Sequence, residues 1–215
     1  MKISTEELQE ALNWRAAIKK YDTTKVASEA DLNLILEAGR MAPSSNGLEP
    51  WKFLIIEDTK VREQLRSAAH GQPQVTEASY FIVLAAETDK QKVANAAFAR
   101  VAKSQNLSVD DQSLNGYKAS INGMLAGMDK EAFTAFAKNQ VFIALGFMLA
   151  TAALAGIDAN PMGGFDSSQF NKILNLSEQS LTSTVVMGIG VRDQADGYLK
   201  RPKFRKSLDE VVGRV

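Results

Sequence analysis

The chain contains no cysteine. Disulfides, thiolate nucleophiles and cysteine-based metal sites are therefore excluded. It has a single histidine, His70, which excludes multi-histidine metal sites. Serine hydrolase chemistry would have to run through that one imidazole, and no G-x-S-x-G elbow accompanies it. No metal is expected. Neither sign of charge is in excess: Lys+Arg and Asp+Glu stand at 25 each, which argues against bulk attraction to nucleic acid or to anionic membranes. The longest apolar run, Val141 to Ala155, falls short of the ~20 residues that span a bilayer, so it reads as a buried core helix. The amphipathic, acidic N-terminus has no signal-peptide core, and a cytoplasmic location is expected. The G-I-G of Gly188 to Gly190 lacks the third glycine and the helix start of a dinucleotide fingerprint. It reads as a strand that needs close packing. An enzyme with this inventory takes its hard chemistry from a bound cofactor.

What is present suits one globular domain, residues 1–215. The hydrophobic share is 45% and the charged share 23%, with no repeat, linker or low-complexity segment to divide the core. The most informative stretch is Met41 to Glu57. Before it, Leu32, Ile35, Leu36 and Gly39 have the spacing of one helix face. Pro43 ends that helix, and Trp51 to Ile56 reads as a strand. Between them lie Pro43, Ser44, Ser45, Asn46, Gly47 and Glu49, a polar loop held by two rigid elements, where ligands tend to bind.

Elsewhere, Ser4 or Thr5 caps a first helix, and Ser28 with Asp31 forms a capping box for the next. Arg15 and Lys19, four apart, are expected to share a face and could converge on a phosphate; a solvated basic face is the bland alternative. Gln72 and Gln74 stand in a turn. Tyr80 to Ala86 is a strand buried on both faces, followed by a helix from about Lys90 to Lys103. Residues 104–116 are polar and aperiodic, a candidate mobile loop. Tyr117 to Phe136 and Glu131 to Ala155 read as helix. The latter is apolar nearly all round beyond Val141 and needs cover on every side, for which a partner chain is a source. Asp158 to Asp166 reads as a glycine-rich loop, Leu181 to Val191 as a strand, and Lys200 to Arg214 as a basic tail.

The stretch A-P-S-S-x-x-x-x-P-W-x-F, Ala42 to Phe53, resembles the signature of the nitroreductase family. Four further features fall in the family's order: the basic segment Arg15–Lys19, the glutamine turn, the P-x-G-G-F-D segment Pro161–Asp166, and the K-x-R pair Lys203 and Arg205. The resemblance implies an α+β fold, a central mixed sheet flanked by helices in three layers, in an intertwined homodimer that holds FMN at its interface. It implies that Arg15, Lys19, Lys203 and Arg205 grip the FMN phosphate. It further implies that Gln72 or Gln74 meets the ring, and that Pro161, Met162, Gly163 and Gly164 lie along the ring's reactive edge. Ala16 and Ala17 stand where relatives carry polar residues, leaving only backbone N–H donors there. Gly163 stands where many relatives carry glutamate, which removes a carboxylate but not a backbone donor.

The function implied is a hydride transfer from NADH or NADPH, a transient visitor, to the flavin and on to nitroaromatic or quinone-like acceptors by a ping-pong cycle. No side chain serves as catalytic acid or base in that scheme. Alternatives are a specialised enone reductase or flavin-consuming enzyme on the same fold, and a non-catalytic flavin-binding sensor.

Overall fold

The computed structural model describes residues 3–215. The order is α1 (Thr5–Trp14), α2 (Glu29–Arg40), β1 (Trp51–Ile55), α3 (Thr59–Ala68), α4 (Gln74–Glu77), β2 (Tyr80–Glu87), α5 (Lys90–Ser104), α6 (Asn115–Ala126), α7 (Lys130–Leu154), β3 (Asp158–Met162), α8 (Ser167–Ile173), β4 (Leu181–Gly190) and α9 (Leu208–Val211). Most starts follow from short polar residues. The Ser4 and Ser28 hydroxyls cap α1 and α2 in reciprocal boxes with Glu7 and Asp31, and Asp58, Asp89, Asp129 and Asp166 cap α3, α5, α7 and α8.

The strands form one sheet in the order β1-β2-β4-β3. Side chains alternate across it. Ile82, Leu84, Val185, Met187 and Ile189 pack under α2 and α7. Phe81, Val83 and Val186 pack on the other face with Leu65 and Ala68 of α3 and Phe170 of α8. This is the expected three-layer α+β arrangement, with β2 and β4 covered on both faces. The expected mixed sheet is not what forms: all three ladders are antiparallel. A parallel neighbour would need a further strand on the open edge of β1 or β3, and residues 201–215 make no ladder with either.

The G-I-G of β4 is a packing feature. A Cβ on Gly190 would lie 2.7 Å from Tyr21 Cδ1, and one on Gly188 would lie 3.2 Å from the Tyr21 hydroxyl. The two glycines let the buried Tyr21 ring lie against the strand, where its hydroxyl donates to Gly188 O at 2.9 Å. Tyr21 also bridges to Arg192, and Asp22 N donates to Val191 O at 2.8 Å. The N-terminal segment is thereby laid along the end of the sheet.

Three further sequence expectations change. Tyr117 to Phe136 is two helices, because Asp129 accepts the N–H of Ala132 at 2.8 Å and starts a new one. Residues 104–116 are held by local caps and by the buried Leu114, so they do not form an open loop. The first half of the 158–166 segment is the edge strand β3, paired residue by residue with β4.

α7 presents two faces. Phe133, Ala137, Val141, Ala144 and Met148 are buried, while Phe142, Ile143, Phe147 and Leu154 are 40–51% exposed. The helix is long and apolar enough to cross a membrane by length and composition, yet its buried face belongs to the sheet's core.

Candidate functional site

The two ends of the chain meet in a basic cleft of about 420 Å³, lined by Trp14, Arg15, Ala16 and Ala17 from the start and by Arg192, Arg201, Lys203 and Arg205 from the end. A buried carboxylate is central to the meeting, beside the bond from Asp193 N to Lys20 O at 3.0 Å and the Lys20–Asp193 ion pair at 2.8 Å. Asp196 is buried; its Oδ2 accepts the backbone N–H groups of Lys19 at 2.8 Å and Lys20 at 3.2 Å, and its Oδ1 accepts that of Tyr198 at 2.9 Å. The first two bonds fasten the 15–20 segment to the turn that launches the tail, and the third closes that turn.

Five cations in one cleft are self-repelling. Arg15 is held below the usual guanidinium range, first by burial and then by Arg205. Lys203 is lowered by burial and then by Arg15, Arg205 and Arg192. One carboxylate offsets them: Asp158 pairs with Arg192, Nη2 to Oδ1 at 2.5 Å, and the Arg192 guanidinium stacks 4.1 Å from the centre of the Trp14 ring. Lys203 is already engaged, donating to Leu12 O at 2.7 Å and Asn13 O at 2.6 Å at the C-terminal end of α1. Arg205 donates to its own neighbour's carbonyl, Phe204 O, at 2.7 Å. Among the described residues, none accepts the backbone N–H of Ala16 or Ala17, so both donors remain for a ligand. The donor set suits a phosphate dianion.

Lys19 does not share this cleft. Asp196 pins its backbone, and its ammonium lies over the ring of Tyr198, 5.8 Å from the centroid, while Lys19 itself is not among the residues lining the cleft. The four-residue spacing from Arg15 presumed a regular element, and residues 15–20 form none.

A second group lies at the end of α3. The Gln72 amide donates to Gly164 O at 2.8 Å and to Ala69 O at 3.1 Å. Asp166 N donates to Ala68 O at 2.9 Å. Gly163 and Gly164 are exposed, and a Cβ on either would meet nothing within 4 Å. Unlike Gly188 and Gly190, they leave open space in front of their backbone, which suits the close approach of a flat ligand. The structure separates the two glutamines. Gln72 stays at the surface beside the glycines, whereas Gln74 is buried and donates to Ile18 O at 3.4 Å. Pro161 stands on β3 opposite Met187, and the Met162 side chain enters the core under α3, so of Met162 the backbone alone is left for a ligand.

The Pro43–Asn46 loop is built elsewhere. Ser45 N donates to Gln140 Oε1 at 2.9 Å, Ser44 Oγ accepts from Glu49 N at 2.8 Å, and the Tyr117 hydroxyl donates to Asn46 O at 3.1 Å. Asn46 and Glu49 hold left-handed backbone at φ 55° and 45°, a strained pair typical of ligand loops. Its described contacts run to α6 and α7, with none to the basic cleft or the glutamine turn.

Sequence reasoning missed Arg192, Arg201, Trp14 and Asp196. The first two carried a signal, Arg192 as a further cation upstream of the basic tail and Arg201 as a member of that tail. Asp196 carried none.

The family model for the nitroreductase family matches residues 12–190. YfkO of Bacillus subtilis (strain 168), an inferred NAD(P)H nitroreductase, is 33% identical over 217 residues, covering 96% of each chain. The nitroreductase family protein from Streptococcus pneumoniae TIGR4 superposes with a TM-score of 0.78 at 23% identity, over 99% of this chain and 100% of that one. An inferred nitroreductase from Exiguobacterium sibiricum 255-15, in complex with FMN, superposes with a TM-score of 0.81 at 22% identity, over 100% and 99% of the two chains.

Proposed function

Because the chain belongs to the nitroreductase family, we propose that it is an FMN-dependent NAD(P)H oxidoreductase, a single flavin-binding domain acting in the cytoplasm as a homodimer. The observation that carries the reading is the basic cleft joining both chain ends, with two free backbone donors and a surplus of cations. Arg15, Arg205 and the N–H groups of Ala16 and Ala17 would hold the phosphate. Lys203 would keep the tail in place against α1 while adding its charge. Gln72 and the open backbone at Gly163–Gly164 would meet the ring.

When bound, FMN supplies hydride transfer, from NADH or NADPH to a nitroaromatic or quinone-like acceptor in a ping-pong cycle. The chain's own share is to bind and orient. The cleft fixes one end of the cofactor, and the glycines admit the flat end without a side chain in the way. No residue is assigned a proton transfer.

The dimer reading rests on two unpartnered surfaces. One is the exposed face of α7, with Phe142, Ile143, Phe147 and Leu154. The other is the tail, where Phe204 is 90% and Leu208 73% exposed. The partner copy would bring its Pro43–Asn46 loop to the flavin, which accounts for that loop's distance from the rest of the site within one chain.

Initial rates of NAD(P)H oxidation at several fixed acceptor concentrations test the reading. Acceptor-dependent turnover separates an enzyme from a sensor. Parallel double-reciprocal lines support one slot used in turn; intersecting lines mean both substrates are bound together and reject it.

A further inference from the structure

We propose that Arg62 is a positioning residue for the flavin ring, acting through the turn from Gly71 to Ala78; the inference rests on the flavin reading above. Arg62 lies on α3 and is 9% exposed. Its Nε donates to Val75 O at 2.7 Å and its Nη2 to Ala78 O at 2.5 Å, while the guanidinium carbon sits 6.0 Å from the centre of the Phe81 ring. One helical turn on, Arg66 donates from Nη1 to Thr76 Oγ1 at 2.9 Å and from Nε to Gly71 O at 3.2 Å. Two arginines at i and i+4 thus clamp the whole turn.

Burying a guanidinium is costly, and among the described residues no carboxylate pairs with Arg62. An apolar side chain here would leave the carbonyls of Val75 and Ala78 without their donor. What an arginine adds is a planar fork that fixes two carbonyls at once. The segment so fixed carries the two amides that reach the rest of the site: Gln72 to Gly164 O, and Gln74 to Ile18 O beside the basic cleft. The same helix ends at Ala68, whose carbonyl accepts Asp166 N from the glycine loop. α3 therefore holds the turn from its flank and the loop from its end, and Arg62 sets the spacing of Gln72 from Gly163 and Gly164.

The test uses wild-type protein, Arg62→Lys and Arg66→Met, with the flavin stripped and then titrated back as FMN or as riboflavin. Apoprotein melting and the midpoint potential of the bound flavin are read alongside. Arg62→Lys keeps the charge and loses the fork. It should weaken FMN and riboflavin together by about tenfold, the scale of one lost charge-assisted contact. The FMN/riboflavin ratio should stay constant and the potential should shift. Arg66→Met, on the partly exposed side of the turn, should act in the same direction and less.

A lower melting temperature with both affinities and the potential unchanged would show a merely structural arginine and overturn the inference. A loss confined to FMN would place Arg62 at the phosphate end and overturn it too. Should Arg62→Lys fail to fold, Arg66→Met decides alone: unchanged affinities for both flavins reject the clamp. Wild-type protein that takes up no flavin overturns the flavin reading itself, a result distinct from variants that bind as tightly as wild type.

Discussion

The carboxylate of Asp196 accepts the backbone N–H of Lys19 at 2.8 Å and so ties together two segments 177 residues apart. Asp196→Ala leaves three backbone N–H groups, those of Lys19, Lys20 and Tyr198, without that acceptor. The apoprotein should lose about 3 kcal/mol in urea unfolding, the upper value for a hydrogen bond to a charged group. FMN affinity should fall further than riboflavin affinity, because the cations separate while the ring contacts stay. Asp196→Asn should lie between. An unchanged unfolding midpoint would mean that the two segments meet without it.

Lys203 and Arg205 should behave differently although they are two residues apart. Arg205→Ala should weaken FMN about tenfold and leave riboflavin affinity and apoprotein melting unchanged. Lys203→Ala should weaken FMN and also lower the apoprotein melting temperature, because it uncaps the Leu12 and Asn13 carbonyls. The double mutant should depart from additivity, since both charges address one group. If neither substitution changes the FMN/riboflavin ratio, the tail is a solvated basic end.

Asp166 caps α8 immediately after the glycine loop. The Ser168 hydroxyl, then the Gln169 N–H and amide, hold its carboxyl down to about 2 from an ordinary 3.8. Its folded value lies below its unfolded one, so the carboxylate stabilises the fold above pH 3.8 and loses that contribution as pH falls toward about 2. Unfolding stability followed against pH should show an acid limb in this window. Asp166→Ala should reduce the limb without abolishing it, because Asp22 is held down to about 2 as well, chiefly by the Thr24 hydroxyl. A limb of unchanged size would contradict the assignment.

The exposed face of α7 predicts the assembly. Sedimentation equilibrium at low micromolar concentration should give twice the 23.4 kDa chain mass for wild type and the single mass for Phe147→Lys. The variant should keep its helical content, because Phe147 lies outside the chain's own core. A wild-type monomer carrying a full load of flavin would reject the shared site.

Much of the fold was legible because local chemistry and tertiary context agree. The Ser28–Asp31 box, the Pro43 stop, the two-sided Tyr80 strand and the close-packed Gly188–Gly190 strand all read correctly from neighbouring residues. The boundary between α6 and α7 did not, because apolar periodicity runs on both sides and one aspartate makes the break. The site was legible as a set of segments rather than as geometry. Arg15, Lys203 and Arg205 could be named from the family's order, but the separation of Lys19 from them depends on Asp196, which has no local signature. The burial of Gln74 and the half-buried position of Gln72 follow from how α3 grips the turn, and in sequence Arg62 is one polar residue on an amphipathic helix.

The visible spectrum of the purified protein, taken under anaerobic conditions before and after NADH or NADPH is added, tests whether the chain is an FMN-dependent NAD(P)H oxidoreductase. The purified protein should be yellow and should yield FMN and not FAD on heating. Its flavin band should bleach with the nicotinamide and return when a quinone is added. A colourless protein that takes up no FMN on titration, or a bound flavin that neither nicotinamide bleaches, would contradict that reading.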